Sequence, residues 1–225
     1  MNTQKGAVTF MTNIKGAIFD CDGTLLDSMQ MWVNVEKEYL IRSGATPRPD
    51  LIDSLRKFSS YEVAEYFKYE YGLNKTVEQI IAGRYALIEE YYFQKATLKD
   101  AVVPVLEALR KRGVRMCVAT ATDKYLVEPA LRNCGILEYF ERIVTCDEEK
   151  TTKTRPDIFI RAAAYMGTEI SDTIVVEDAL HAIKSAKKAG FTVVAVYDLS
   201  EEHNQEEAKR NSDYYFMSLD EMLML

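Results

Sequence analysis

Nowhere in this chain of 225 residues does an apolar run approach the length needed to cross a bilayer. Residues 1–13 also carry too little positive charge, and too short an apolar stretch, for a secretory signal. Together these absences predict a cytoplasmic protein with no membrane partner. Cysteine is sparse: Cys21, Cys117, Cys134 and Cys146 lie far apart with no Cys-x-x-Cys pair, which argues against a zinc site and a disulfide framework and predicts reduced, mostly buried thiols. Basic charge is in deficit, 28 Lys and Arg against 35 Asp and Glu for a formal net charge of −7, so the basic stripe of a nucleic-acid surface is missing. The length allows one sizeable domain, or a domain with a smaller insert.

What the chain does have is concentrated early, in Gly16-Ala17-Ile18-Phe19-Asp20-Cys21-Asp22-Gly23-Thr24. The apolar run Gly16 to Phe19 reads as a strand buried on both faces, as in a parallel sheet. Side chains alternate along an extended segment, so Asp20 and Asp22 are expected to point the same way, with Gly23-Thr24 turning the chain off the sheet. Two like charges held close are costly without a cation or proton between them, so the pair reads as a metal site, a proton-transfer site, or both. Asp-x-Asp-Gly alone would equally suit a surface turn, and the buried strand before it favours a site.

After Asp27 the periodicity becomes helical. A helix capped by Ser28 runs to about Ser43, with Gly44 as its stop; a second spans about 49–57; a third starts at Ser59-Ser60 and runs to Tyr71-Gly72. A fourth begins at Thr76, where Gln79 completes a capping box, and runs to about Phe93. Residues 28–95 therefore read as a four-helix insert. Its Tyr66, Tyr69, Tyr85, Tyr91, Tyr92 and Phe93 read as core or cap packing, and its cations Arg48, Arg56, Lys57 and Arg84 as candidate substrate contacts for which plain surface charge is the preferred reading.

From Asp100 onward strands alternate with helices: helix 101–112, strand 115–120, helix 125–134, a short strand at Ile143-Val144 and helix 156–166. Strand 173–177, helix 179–189, strand 192–196, the segment Tyr214 to Phe216 and a short last helix complete the chain. Such alternation predicts a mostly parallel sheet covered on both faces. The domain plan is an α/β core of 14–27 with 96–225, the helical insert 28–95, and a tail, 1–13. In open sheets of this kind ligands bind beyond the carboxyl ends of the strands. Thr120 and Thr122 close one strand, where a hydroxyl could donate to a phosphate oxygen. Lys153 stands in the loop before helix 156–166, with Lys150 and Arg155 as rival cations. Glu177 and Asp178 close a third strand, where helix capping is the plainer local explanation.

Taken in order, Asp20-Cys21-Asp22-Gly23-Thr24-Leu25-Leu26-Asp27-Ser28, the strand ending at Thr120, Lys153 ahead of Pro156-Asp157-Ile158-Phe159, and Val176-Glu177-Asp178-Ala179-Leu180 resemble the four motifs of the haloacid dehalogenase-like superfamily. The helical insert after the first motif is similar to its capped branch of phosphoglycolate phosphatase-like enzymes and β-phosphoglucomutase. Thr152 and Thr154 depart from the family's usual glycine and proline around the lysine. The resemblance implies a Rossmann-like three-layer core with a helical cap that closes over the site. It implies a phosphatase acting on a small phosphomonoester, as a monomer or weak homodimer. Asp20 would be the nucleophile that forms an aspartyl-phosphate, and Asp22 the general acid and then base. Thr120 and Lys153 would complete the catalytic set, and Gly23, Thr24, Ala121 and Thr122 would hold the substrate. A Mg²⁺ ion would bind Asp20, the Asp22 carbonyl and Asp178, with Glu177 direct or through water. Rival readings are a phosphosugar mutase, a dehalogenase, and a non-enzymatic phospho-acceptor domain. A dehalogenase has no need of Asp22, Glu177 and Asp178, and an acceptor has little use for the insert. A mutase of the β-phosphoglucomutase kind uses a hinge histidine, whereas here Trp32 stands near that place and the two histidines, His181 and His203, lie elsewhere.

Overall fold

The computed structural model describes residues 14–55 and 58–224. The expected tail 1–13, Arg56 and Lys57 lie outside the described residues, as does the end of the second expected helix. The chain divides into two compact units, one formed by Ser28–Lys95 and the other by the segments before and after it.

In the helical unit are α1 (Met29–Arg42), α2 (Leu51–Leu55), α3 (Ser60–Glu70) and α4 (Val77–Gln94), with no strand among the described residues. The expected capping box at Thr76 forms, and the Ser59 cap proves to be a second one. The Ser59 hydroxyl accepts from the Glu62 N–H and the Glu62 carboxylate from the Ser59 N–H, and Thr76 and Gln79 do the same for α4. Ser28 precedes α1 without a side-chain cap bond. The unit's core gathers Leu40, Leu51, Val63, Ala64 and Ile80 around Tyr39 and Phe67, whose rings stack at 6.0 Å. Gly83 lets α4 approach α1 here, because a Cβ on it would stand 2.7 Å from the Tyr39 ring.

Two readings of this unit are corrected. Arg84 is not surface charge: it is 9% exposed, its Nε donates to Glu36 Oε2 at 2.7 Å, and its Nη1 donates to the Ser60 carbonyl and hydroxyl at 3.1 and 3.0 Å. Of the aromatics, Tyr92 is fully buried, while Tyr69, Tyr85 and Phe93 are exposed. Apolar and charged residues are mixed around helix α4 without a clear stripe, so its periodicity does not say which ring turns inward.

The other unit holds six strands, β1 (Gly16–Phe19), β2 (Arg115–Thr120), β3 (Arg142–Thr145), β4 (Thr173–Glu177), β5 (Thr192–Val196) and β6 (Tyr214–Phe216). They form one parallel sheet of order β3-β2-β1-β4-β5-β6. Helices α5 (Val102–Lys111), α6 (Lys124–Asn133), α7 (Asp157–Met166), α8 (Leu180–Lys188) and α9 (Gln205–Asn211) connect them. Every residue of β1 and β4 is buried, as a doubly covered parallel sheet requires. On one face Ile18, Val175, Val193 and Ala195 pack against Phe159 and Phe191, whose rings meet edge to face at 6.4 Å. Each of the fully buried Ile, Val and Phe side chains contributes about 1.5–3 kcal/mol of transfer free energy.

Helix α9 escaped sequence reading because only Ala208 in it is buried, and the expected last helix is a 3-10 turn, Leu219–Met224. No helix among the described residues is long and apolar enough to cross a membrane. What matters for the site is register. Phe19 lies level with Val118 of β2 and Val176 of β4, so the residues just beyond them reach the same edge together. That edge, between β1 and β4, is where the strand order reverses, the place at which open α/β sheets bind ligands.

Candidate active site

Beyond Phe19 the backbone stays on the sheet for one more residue, with the Asp20 N–H donating to the Val176 carbonyl at 2.9 Å. It then curls tightly. The Leu25 and Leu26 N–H groups both bond the Cys21 carbonyl, the Gly23 N–H bonds the Leu26 carbonyl, and Gly23 takes φ +91°, a conformation for which glycine has no steric penalty. Gly23 is needed for a second reason: a Cβ there would stand 2.5 Å from Asp178 Oδ2. The loop therefore presses its backbone directly onto an acid from β4.

Asp20, Glu177 and Asp178 form a buried cluster in which one carboxylate oxygen from each lies within 4.8 Å of the others. The Lys153 ammonium, itself buried, donates to Asp20 Oδ1 and, at 2.5 Å, to Glu177 Oε1. Glu177 Oε2 accepts from the Ala179 N–H at 2.9 Å, at the start of α8. Asp178 Oδ1 accepts from the Thr24 hydroxyl at 2.8 Å. Burial pushes the Asp20 carboxyl up to about 7, against the downward pull of the Lys153 charge. Asp178 is raised well above the usual range by burial and by the neighbouring Asp20 and Glu177. Burial works against the Lys153 charge, yet Asp20 and Glu177 outweigh it and keep the ammonium protonated. Three acids thus cluster beside one lysine that bonds two of them, a site poised to hold additional positive charge.

Asp22 sits apart from that cluster. Half-buried, it accepts a 2.7 Å bond at Oδ2 from the Thr122 hydroxyl. Thr122 is fixed in turn by its own N–H, which donates to Thr120 Oγ1 at 3.0 Å. Since Thr120 accepts that bond, its own hydroxyl proton points elsewhere and can serve an incoming oxyanion. Ala121 is exposed between the two threonines. Spacing alone identified these residues but not two of their partners. Thr24 is fully buried and its hydroxyl is engaged by Asp178, and the Thr122 hydroxyl is engaged by Asp22; neither pairing leaves a signal in sequence. Around the lysine, the Thr152 and Thr154 hydroxyls bond one another at 2.6 Å, which ties the loop where glycine and proline would otherwise shape it. All four cysteines are free. Burial pushes the thiols up, Cys117 to about 12, so none is a ready nucleophile.

Comparison with known proteins agrees with this geometry. Residues 17–196 match the family described as haloacid dehalogenase-like hydrolase. Fructose-1-phosphate phosphatase YqaB of Escherichia coli is 28% identical over 186 residues, covering 80% of this chain and 95% of that protein. Among solved structures, a predicted phosphoglycolate phosphatase from Haemophilus somnus superposes with a TM-score of 0.76 at 21% identity, over 95% of this chain and 98% of that one. CbbY from Rhodobacter sphaeroides, in complex with phosphate, gives 0.73 at 20% identity, over 93% and 96%. The match spans the strand before Asp20, the threonines after β2, Lys153 and the acids after β4, and so the chain belongs to the haloacid dehalogenase-like hydrolases.

Proposed function

We propose that this protein is a Mg²⁺-dependent phosphatase that hydrolyses a small phosphomonoester, a sugar phosphate or a phosphoglycolate-like compound, through an aspartyl-phosphate on Asp20. The observation that carries the proposal is the buried cluster of Asp20, Glu177 and Asp178, two of them bonded to the buried Lys153, where the strand order reverses. Buried carboxylate oxygens this close are the hard donors that Mg²⁺ selects. Asp20, the Asp22 carbonyl and Asp178 would hold the ion, with Glu177 direct or through water. When bound, it supplies the positive charge that lets a phosphate approach a carboxylate.

The remaining chemistry belongs to the chain. Lys153 counters the rise that burial imposes on Asp20 and so favours the ionised carboxylate. An Asp20 oxygen attacks phosphorus, the bond to the leaving oxygen breaks, and Asp22 gives that oxygen its proton. Asp22, now a carboxylate, takes a proton from water as the water attacks the phosphoenzyme, releasing phosphate and restoring Asp20. Thr120 and Lys153 provide positioned donors of the kind phosphoryl transfer depends on. The insert 28–95 serves as the cap domain.

Hydrolysis is preferred to a mutase reaction because Trp32, near the place of a mutase's hinge histidine, cannot transfer protons, and its indole N–H donates to the Tyr92 hydroxyl at 3.1 Å. The test is turnover of p-nitrophenyl phosphate. Activity should disappear in EDTA and return with Mg²⁺, and Asp20→Asn should lower kcat roughly 10³-fold or more while the protein stays folded. Full activity in chelator, or near-normal turnover by Asp20→Asn, would overturn the proposal.

A further inference from the structure

Thr122 was expected to touch the substrate, but its hydroxyl is directed at Asp22. The 2.7 Å bond to Oδ2 joins residues 100 positions apart, from the loop after β2 to the loop after β1. Neither end is slack. The Asp22 backbone lies in the tight curl closed by Gly23, Leu25 and Leu26, and the Thr122 backbone is pinned by its N–H on Thr120 Oγ1. A hydroxyl that donates to Oδ2 holds the carboxylate plane in one orientation. We infer that Thr122 is the positioning residue of the acid/base: it fixes the Asp22 rotamer and so aims the carboxyl at the reacting oxygens. The inference rests on the phosphatase reading, with Asp22 as acid and base.

In the first step the alkoxide leaves phosphorus and takes the proton from the Asp22 carboxyl. In the second, the Asp22 carboxylate takes a proton from the water whose oxygen bonds to phosphorus as the bond to Asp20 breaks. The Thr122 hydroxyl keeps its own proton throughout. Its effect therefore falls on steps in which Asp22 moves a proton, and not on substrate binding.

That separation makes the test. Thr122→Val removes the hydroxyl but keeps the shape and the backbone N–H to Thr120, and Thr122→Ser keeps the hydroxyl. Each is assayed with an alkyl phosphomonoester, glycerol phosphate, whose leaving group needs an acid, and with p-nitrophenyl phosphate, whose leaving group does not. With the alkyl substrate, Thr122→Val should lose about 10–100-fold in kcat, part of the 10²–10⁴ that general acid–base catalysis supplies, with KM changed by less than about two-fold. With p-nitrophenyl phosphate, rapid mixing should show the first turnover's burst retained and only the later, water-dependent rate reduced. Thr122→Ser should recover kcat to within about three-fold of wild type. A rise in KM at unchanged kcat would return Thr122 to substrate binding and overturn the inference. So would equal losses on both substrates in the first turnover, or a serine variant as slow as the valine. A wild-type protein inert to both esters would instead sink the phosphatase reading, and this inference with it.

Discussion

Gly23→Ala is the smallest change that reaches an acid of the candidate site without touching its sequence. The new methyl would stand 2.5 Å from Asp178 Oδ2 and 2.8 Å from its Cγ. Non-bonded heavy atoms rest at about 3.5 Å or more, so Asp178 must withdraw by about 1 Å. It is tethered on its other side by the Thr24 hydroxyl at 2.8 Å and is buried, so withdrawal breaks that bond or moves the loop. The backbone resists as well: φ +91° at Gly23 costs an L-residue about 1–2 kcal/mol. For a chain of this size that cost alone lowers Tm by about 2–8 °C. If Asp178 helps hold Mg²⁺, a displacement of about 1 Å should cost roughly 100-fold in turnover and raise the Mg²⁺ concentration needed for half-maximal activity. The assay pairs a thermal melt with a Mg²⁺ titration of phosphatase activity. A variant that melts lower yet keeps the wild-type Mg²⁺ requirement would show that Asp178 does not hold the metal, and one unchanged in both would refute the close approach itself.

Two stability predictions follow from buried charge. Arg84→Met leaves Glu36, with 15% of its side chain exposed, without its cation, and should cost about 3 kcal/mol in urea unfolding; adding Glu36→Gln should recover part of the loss, whereas a cost below about 0.5 kcal/mol would mean the pair behaves as a surface one. Asp198 is raised by burial but lowered further by the Lys99 ammonium at 2.7 Å and the Ser200 donors, so its folded value lies below its ordinary one. Its stabilisation is then present at neutral pH, above the unfolded value of about 4, and is lost as pH falls through the folded value. Asp198→Asn should melt below wild type at pH 7 and converge with it toward pH 3; a gap constant across that range would contradict the assignment.

Three strands of the core were legible because each states itself, whereas Tyr214–Phe216 reads only as a segment and forms β6. Gly16–Phe19, Thr173–Glu177 and Thr192–Val196 are short apolar runs stopped by turn or acidic residues, and the parallel sheet follows from their alternation with helices. Helix α9 was not legible: Gln205–Asn211 carries one buried side chain, Ala208, and its shape comes from packing, not from an apolar stripe. Arg84 failed for a different reason. Its partner Glu36 is 48 residues away on α1, and a cation's burial depends on what faces it, which local sequence does not record.

The same distinction explains why the site was readable as a set of residues but not as a network. Each of these groups sits at the end of its own strand or just past it, so spacing within a strand locates Asp20, Thr120 or Glu177 unaided. The bonds that orient them join Thr24 to Asp178 across 154 residues, Lys153 to Asp20 across 133 and Thr122 to Asp22 across 100. Those pairings are set by the register that levels Phe19 with Val118 and Val176, a property of the assembled sheet. In a parallel sheet a shift of one position would turn each strand's last side chain to the other face, so the register that buries the β1 and β4 cores also brings Asp20, Glu177 and Asp178 together. Packing energy from the apolar strands thereby holds carboxylates at separations that their mutual repulsion would otherwise oppose.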